Sequence, residues 1–184
     1  LVCFFTLLMK QKSVWGYAVN ITATISLFFL SLIYKWQSAD NYFLLGGLFP
    51  QSDANDYFTD AQRLLHGFDM IGSGTYRPIY SSSLAALLKI TNSNLQLILI
   101  IFVIGNALAV YFAAQEINKT FKSDFASAFY IILSYMFIRR FSGTLMTENL
   151  GFCLGNLALV FLIYGLRQRK LDWLLFGIFI LTTA

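Results

Sequence analysis

Acidic side chains recur at helical spacing in one polar stretch of an otherwise apolar chain, SDANDYFTDAQRLLHG over residues 52–67. Asp53, Asp56 and Asp60 lie three and four positions apart, so a helix would carry all of them on one face. Ser52 stands where an N-cap is expected, and the helix dipole favours acids in a first turn. We expect a short amphipathic helix at a membrane surface, with its acids toward water.

Two interpretations of this acidic face remain open. A solvated polar face on a loop helix would need no function. Alternatively, a carboxylate beside hydrocarbon has a raised pKa and can act as a general base on a hydroxyl or amine nucleophile. In the functional interpretation this helix carries the active site, and the apolar segments around it are the scaffold.

A second acid, Glu148, stands at the mouth of a predicted span in the sequence SGTLMTENLGF. An acid level with the hydrocarbon is costly and tends to be functional. The alternative is structural, because Thr147 would cap the helix and Glu148 would favour its positive N-terminal end. The two roles are compatible, since a helix end can also hold a catalytic acid in position.

Three arginines, Arg77, Arg139 and Arg140, lie on loops that we place outside the membrane. A guanidinium group can bind phosphate through two parallel hydrogen bonds, so these side chains are candidates for holding a lipid phosphate. Contact with lipid headgroups, or an inverted topology, would explain them without a site. His66, the single histidine, ends the acidic stretch and is expected to cap the C-terminus of its helix.

The residue types available narrow the cofactor chemistry. One histidine and two cysteines in apolar runs exclude a zinc site built from several His or Cys ligands. A divalent ion held by carboxylates stays open, with Asp53 and Glu148 as its ligands. No glycine-rich phosphate loop follows a strand pattern, which argues against a nucleotide cofactor, and the scattered basic residues give no sign of nucleic-acid binding.

The elements that must position these side chains are transmembrane helices. The chain of 184 residues is 58% hydrophobic and 12% charged, with a mean hydropathy of +0.66, whereas soluble domains carry about 25% charged residues. Long apolar runs and only two prolines favour helices over a barrel. We predict an all-α polytopic bundle and, because both ends fall inside apolar runs, a fragment of a longer protein.

Hydrophobic segments organise the chain as one transmembrane domain. The predicted spans lie near residues 14–36, 95–116, 125–138, 150–166 and 171–184. A polar outer loop occupies residues 37–94, with interfacial helices near 53–66 and 78–90. The second of these has about 13 residues, too few to cross a hydrocarbon core of ~30 Å comfortably. If it did cross, the direction of the next two spans would be reversed, an alternative that the pattern leaves open.

The outer loop and the head of a later span carry an ordered series of short motifs: Asp53, Ala54, Tyr57, Ala61, Leu64, Leu65 and Gly67, then Arg77, Pro78 and Tyr80, then Thr147 and Glu148. In order and spacing this series resembles the bacterial membrane glycosyltransferases of the GT-C fold. It is most similar to the lipopolysaccharide-core type related to aminoarabinose transferases and protein O-mannosyltransferases. The resemblance extends from about residue 14 to the end of the chain.

This resemblance implies a polyprenyl-phosphate-linked sugar donor and a lipid, glycan or protein acceptor. It also implies a GT-C-like arrangement of spans in a bacterial inner (plasma) membrane, with an active site that faces outward. The sugar carbon would be inverted, with a loop acid as base. Carried over by position, Asp53 is that base, Glu148 is the second catalytic acid, and Arg77 is a phosphate ligand. We expect the substrate-binding set to be Asp56, Tyr57, Arg77, Tyr80, Arg139 and Arg140.

The sequence therefore favours an inverting membrane glycosyltransferase surrounded by membrane lipids. A transporter or flippase of lipid-linked sugars is one alternative, and a non-catalytic membrane subunit is another. A transport pathway predicts ionisable residues in mid-span, and the predicted spans are nearly free of them. Acids and arginines instead concentrate on one side, which favours chemistry at the surface.

Overall fold

The computed structural model describes residues 1–11, 13–37 and 42–183. These residues form eight α-helices: α1 Val2–Met9, α2 Val14–Gln37, α3 Asp53–Leu65, α4 Pro78–Ile90, α5 Leu95–Phe121, α6 Asp124–Ile138, α7 Glu148–Gln168 and α8 Leu171–Thr183. Strands β1 (Leu44–Leu45) and β2 (Phe49–Pro50) pair antiparallel, and a 3₁₀ turn covers Ser73–Thr75. The prediction of a mostly helical protein is confirmed.

Within the described residues, three helices are long and apolar enough to cross a membrane: α2 with 24 residues, α5 with 27 and α7 with 21. Helices α6 and α8 are apolar but have only 15 and 13 residues, so their crossing stays a prediction. Helices α3 and α4 occupy the two stretches for which loop helices are expected. Their location at a membrane interface also stays a prediction.

Hydrogen bonds between helices establish the direction in which each one runs. Ser31 Oγ lies 3.3 Å from the Tyr135 hydroxyl, and Lys35 Nζ donates to the Arg140 carbonyl oxygen at 2.6 Å, so α2 and α6 run the same way. Only two residues separate the end of α5 from the start of α6, and the two helices pack together. Helix α5 therefore runs opposite to α2.

The directions of α2 and α5 locate the long connection between them. Because these helices are antiparallel, the end of α2 at Gln37 and the start of α5 at Leu95 lie at the same end of the bundle. Both α3 and α4 belong to this connection. This arrangement is the one required by the layout in which α4 does not cross the bilayer.

At the opposite end of the bundle, a buried acid joins α5 to α7. The Glu116 carboxylate is 2.6 Å from Lys119 Nζ and 2.7 Å from Arg167 Nη2, and its side chain is only 8% exposed. Asn106 Nδ2, in the middle of α5, donates to Asn149 Oδ1 at the start of α7 at 3.3 Å. Helices α5 and α7 thus run in the same direction and are joined near both ends of α7.

An aromatic stack connects the loop helices to the bundle. The Tyr57 ring on α3 meets the Tyr80 ring on α4 edge-on at 5.4 Å, and Tyr80 in turn stacks on Phe102 of α5 at 6.3 Å. Leu84 and Leu88, one and two turns after Tyr80, are fully buried on the same side of α4. Burial of this face holds the start of α4 against the bundle.

Candidate functional site

A cavity of about 780 Å³ lies between α4, α6, α7 and α8. One end is polar and is formed where α4 and α7 begin, by Arg77, Tyr80, Thr147 and Glu148. The rest of the lining is mainly apolar and follows α7, including Leu150, Gly151, Phe152, Gly155 and Asn156, with Tyr130 and Phe137 from α6. A charged end joined to an apolar wall suits a ligand that has a polar head and a hydrocarbon part.

Arg77 reaches the cavity because of how α4 begins. It is the N-cap of that helix, and its φ of −131° and ψ of +62° lie outside the helical region, which proline disfavours for the residue before it. Its Nη1 donates a hydrogen bond to Thr147 Oγ1, at the start of α7. Arg77 is exposed, and within the described ranges it forms no ion pair with a carboxylate. Its charge is therefore available to an anion.

The Thr147 hydroxyl connects Arg77 to Glu148. It accepts from the guanidinium and also lies 3.4 Å from Glu148 Oε2, to which it can donate. Thr147 is the N-cap of α7, as the structural alternative predicted, but its hydroxyl makes no bond to the helix backbone. The Thr147 hydroxyl oxygen accepts from the Arg77 guanidinium instead.

The start of α7 is held by Asn149, which sequence reasoning missed. Its buried Nδ2 donates to the backbone oxygens of Thr144 at 2.8 Å and Phe141 at 3.1 Å. These bonds anchor the loop that precedes Glu148. The available signal was the spacing of Asn149 and Asn156 in an apolar run, because seven residues make two helical turns and place both on one face.

Tyr80 contributes a buried hydroxyl at the polar end of the cavity. The residue is 4% exposed, and among the described residues its hydroxyl oxygen has no hydrogen-bond partner. Burial raises the pKa of this phenol above its usual value, and the nearby Glu148 and Tyr57 raise it further. The group is therefore a neutral donor at physiological pH and can serve an oxygen of a ligand.

The three acids of α3 have three different environments. Asp53, the first residue of the helix, is exposed and does not line the cavity. Asp56 is also exposed, and its Oδ2 accepts from Ser73 Oγ at 3.0 Å. Asp60 is only 1% exposed. The expectation that all three face water is wrong for Asp60. Its side chain points at the glycine-rich loop, residues 66–77, that joins α3 to α4.

Backbone N–H groups are the hydrogen-bond donors to the buried Asp60 carboxylate. Its carboxylate accepts from Ile71 at 3.0 Å, from Gly72 at 3.1 Å and from Gly74 at 2.9 Å. Burial alone raises the pKa of this carboxyl, but these donors, with Arg63 nearby, outweigh it and hold the pKa below its usual value. The buried Asp60 is therefore ionised, and its hydrogen bonds hold the backbone of the loop.

The ends of α3 also differ in part from expectation. Ser52 makes no capping bond to the helix and has a φ of +57°, and its hydroxyl lies 3.4 Å from that of Tyr42. Ser52 is the N-cap residue of α3, as expected, but its side chain does not form the capping bond. His66 stands at the C-cap, where its Nδ1 lies 2.8 Å from the Gln62 carbonyl oxygen.

Neither of the two adjacent loop arginines lines the cavity. Arg139 is exposed. Arg140 places its guanidinium over the rings of Phe43 and Phe141, at 5.7 and 5.9 Å from their centres. Of the predicted substrate-binding set, the structure brings Arg77 and Tyr80 together with Glu148 in the lining of the cavity. It leaves Arg139 and Arg140 elsewhere.

No metal centre is formed by the part of the chain that the structure describes, in the sense of three or more His, Cys, Asp or Glu side chains gathered together. Glu148 lines the cavity and Asp53 does not, so a divalent ion shared by these two acids stays a prediction. Comparison of the chain with protein-family models, curated proteins and solved structures finds no match. The function is therefore argued from the site.

Proposed function

We propose that this protein is a membrane glycosyltransferase that takes a sugar from a polyprenyl-phosphate donor. The observation that carries this proposal is the meeting of Arg77 and Glu148 through Thr147 at the polar end of the cavity. A cation for a phosphate and a carboxylate for an acceptor proton are the two groups that such a reaction needs. Helix α7, which is long and apolar enough to cross a membrane, lines the cavity and suits a lipid-linked donor.

Arg77 and Tyr80 would bind the donor phosphate. The guanidinium supplies charge, and the Tyr80 hydroxyl supplies a neutral donor that has no other partner among the described residues. Both groups strengthen their hold as negative charge develops on the phosphate that leaves the sugar. They therefore favour departure of the lipid phosphate as well as its binding.

Glu148 would be the general base. In this step the carboxylate takes the proton of an acceptor hydroxyl or amine. The acceptor atom then forms a bond to the sugar carbon, and the bond from that carbon to the phosphate oxygen breaks. Polyprenyl phosphate leaves with both bonding electrons, and the sugar carbon is inverted. We prefer Glu148 to Asp53 for this role because Glu148 is the acid that lines the cavity.

The wall of the cavity along α7 would receive the first isoprene units. A Cβ atom added at Gly155 meets nothing within 4 Å, so the space beside this residue is open. From Glu148 to Gly155 the helix rises about 10 Å at ~1.5 Å per residue. That length of apolar wall holds a chain segment while the phosphate stays near Arg77.

The experiment uses membrane vesicles that contain the full-length protein, supplied with a polyprenyl-phosphate donor labelled in its sugar. Glu148→Gln should lower transfer of label to acceptor, or to water, by roughly 10²- to 10⁴-fold, the usual contribution of a general base. Asp69→Asn, an exposed acid-to-amide change outside the cavity, is the control and should transfer normally. Asp53→Asn tests the competing assignment of the base.

The outcomes separate the two candidate acids. Loss of transfer in Glu148→Gln alone supports the proposal. Loss in Asp53→Asn alone would return the role of base to Asp53. If both variants transfer sugar at the normal rate, the protein is not a glycosyltransferase that uses either acid.

A flippase of lipid-linked sugars is the second candidate, and a polar pair on the wall of the cavity favours it. Tyr130 donates to Asn156 Oδ1 at 2.6 Å, and both side chains line the cavity. These side chains would give a sugar polar partners as it moves along α7. In the same vesicles, a flippase would change the side on which the labelled donor is accessible without forming any new glycosidic bond.

A further inference from the structure

The glycine-rich loop between α3 and α4 is held by the buried Asp60 carboxylate. The three donors to Asp60 are consecutive or nearly so, from Ile71, Gly72 and Gly74, and Gly72 N–H lies 3.1 Å from both carboxylate oxygens. One side chain thus determines the path of the backbone over four residues. Asp56, one turn earlier on α3, holds the hydroxyl of Ser73 in the same loop.

The two glycines allow this close approach. A Cβ atom at Gly74 would lie 2.6 Å from Asp60 Oδ2 and 2.4 Å from Ser81 Oγ on α4. A Cβ atom at Gly72 would lie 3.1 Å from Asp60 Oδ2. The loop is therefore packed between α3 and α4, with no room for a side chain at position 74.

Arg77 follows directly from this held segment. The 3₁₀ turn Ser73–Thr75 leads through Tyr76 to Arg77, whose N–H donates to the Gly74 carbonyl oxygen at 3.2 Å. Gly74 is at the same time the residue whose N–H is held by Asp60 at 2.9 Å. Gly74 therefore links the two residues, because its N–H bonds to the Asp60 carboxylate and its carbonyl oxygen bonds to the Arg77 N–H.

We propose that Asp60 is a positioning residue, which holds the Arg77 guanidinium in the cavity by fixing the loop before α4. The choice of ligand rests on the proposed function, because Arg77 is taken there as the phosphate-binding group. Asp60 itself does not line the cavity and does not touch the ligand. Its effect reaches the phosphate through the loop and Arg77.

The test measures binding of polyprenyl monophosphate, without a sugar, to the full-length protein in nanodiscs. Asp60→Asn keeps the size of the side chain but replaces one acceptor oxygen with an amide that meets N–H groups. We expect affinity to fall by roughly 10- to 100-fold, the scale of a displacement of about 1 Å at a binding group. Asp69→Asn, in the same loop but with its side chain exposed, is the matched control and should bind normally.

A double-mutant cycle distinguishes an effect of Asp60 through Arg77 from a general loss of structure. If Asp60 acts through Arg77, the variant that combines Asp60→Asn with Arg77→Gln should bind no more weakly than Arg77→Gln alone. Additive losses would overturn the inference, because a general loss of structure weakens binding whether or not the arginine is present. Normal affinity in Asp60→Asn would overturn it as well.

Gly74→Ala provides a second route to the same displacement with Asp60 intact. Its Cβ would force the loop away from Asp60 and Ser81, so affinity should fall, again with no further loss when Arg77→Gln is added. This variant decides the question if Asp60→Asn does not fold. Failure of the proposed function has a different signature, which is normal phosphate binding by Arg77→Gln itself.

Discussion

Removal of the Tyr80 hydroxyl should change stability and ligand affinity in opposite directions. In the structure the phenol oxygen is buried and, among the described residues, has no hydrogen-bond partner. Such a group loses its bonds to water on folding, at a cost of about 1–3 kcal/mol. Tyr80→Phe removes that cost and keeps the ring contacts with Tyr57 and Phe102, so the free energy of unfolding should rise by about that amount.

The same substitution should weaken binding of a lipid phosphate. A hydrogen bond to a charged group contributes about 1.5–3 kcal/mol. Its loss corresponds to roughly 10- to 150-fold in the dissociation constant. We therefore expect Tyr80→Phe to unfold at a higher temperature without ligand and to bind polyprenyl monophosphate more weakly.

Tyr135→Phe is the matched control for this prediction. Its hydroxyl lies 3.3 Å from Ser31 Oγ, and it is not part of the cavity lining. Loss of that hydrogen bond should cost about 0.5–1.5 kcal/mol of stability and leave affinity unchanged. The two variants are compared by thermal unfolding in detergent and by titration with the phosphate. Equal destabilisation in both, or unchanged affinity in Tyr80→Phe, would refute the role given to Tyr80.

Two further predictions concern the loop anchor and the cavity wall. Because the pKa of folded Asp60 lies below its unfolded value of about 3.9, its ionised form stabilises the fold above that pH. That stability is lost as the pH falls through the folded-state pKa, and Asp60→Asn should flatten this acid dependence of thermal unfolding. Gly155→Leu should extend into open space and weaken binding of long-chain polyprenyl phosphate, but not of a short-chain phosphate, and equal effects on both would contradict a chain site along α7.

Local sequence rules predicted the helices well. Continuous apolar runs and Pro78 at a first helical position are local signals, and α2, α4, α5 and α7 begin within two residues of the predicted positions. The ends were less accurate, since α5 continues to Phe121, five residues beyond the predicted end. The tail of α5 carries Glu116, which pairs with Lys119 on the same helix and gains Arg167 only because α7 packs beside it.

The individual acids could not be sorted by spacing alone. Asp53, Asp56 and Asp60 share helical periodicity, but Asp60 is buried because a loop that comes 11 to 14 residues later folds back onto it. The position of Arg140 could not be predicted either. Phe141 is its neighbour in the sequence, but the Phe43 ring comes near the guanidinium only in the tertiary fold. The meeting of Arg77 with Thr147, by contrast, links two motifs that were both singled out in the sequence.

The double attachment of α7 to α5 restricts the movement of α7 and, with it, the routes by which any ligand can enter the cavity. Sliding or tilting of α7 would break either the Asn106–Asn149 pair or the Glu116–Arg167 ion pair. Helix α8 is similarly fixed, because Gly177 leaves no space between it and Leu162 of α7. The contact between α6 and α7 is less extensive than that between α5 and α7, and the Tyr130–Asn156 hydrogen bond is a polar link across it. For the lipid-linked donor of the proposed function, the expected route of entry is therefore the seam between α6 and α7.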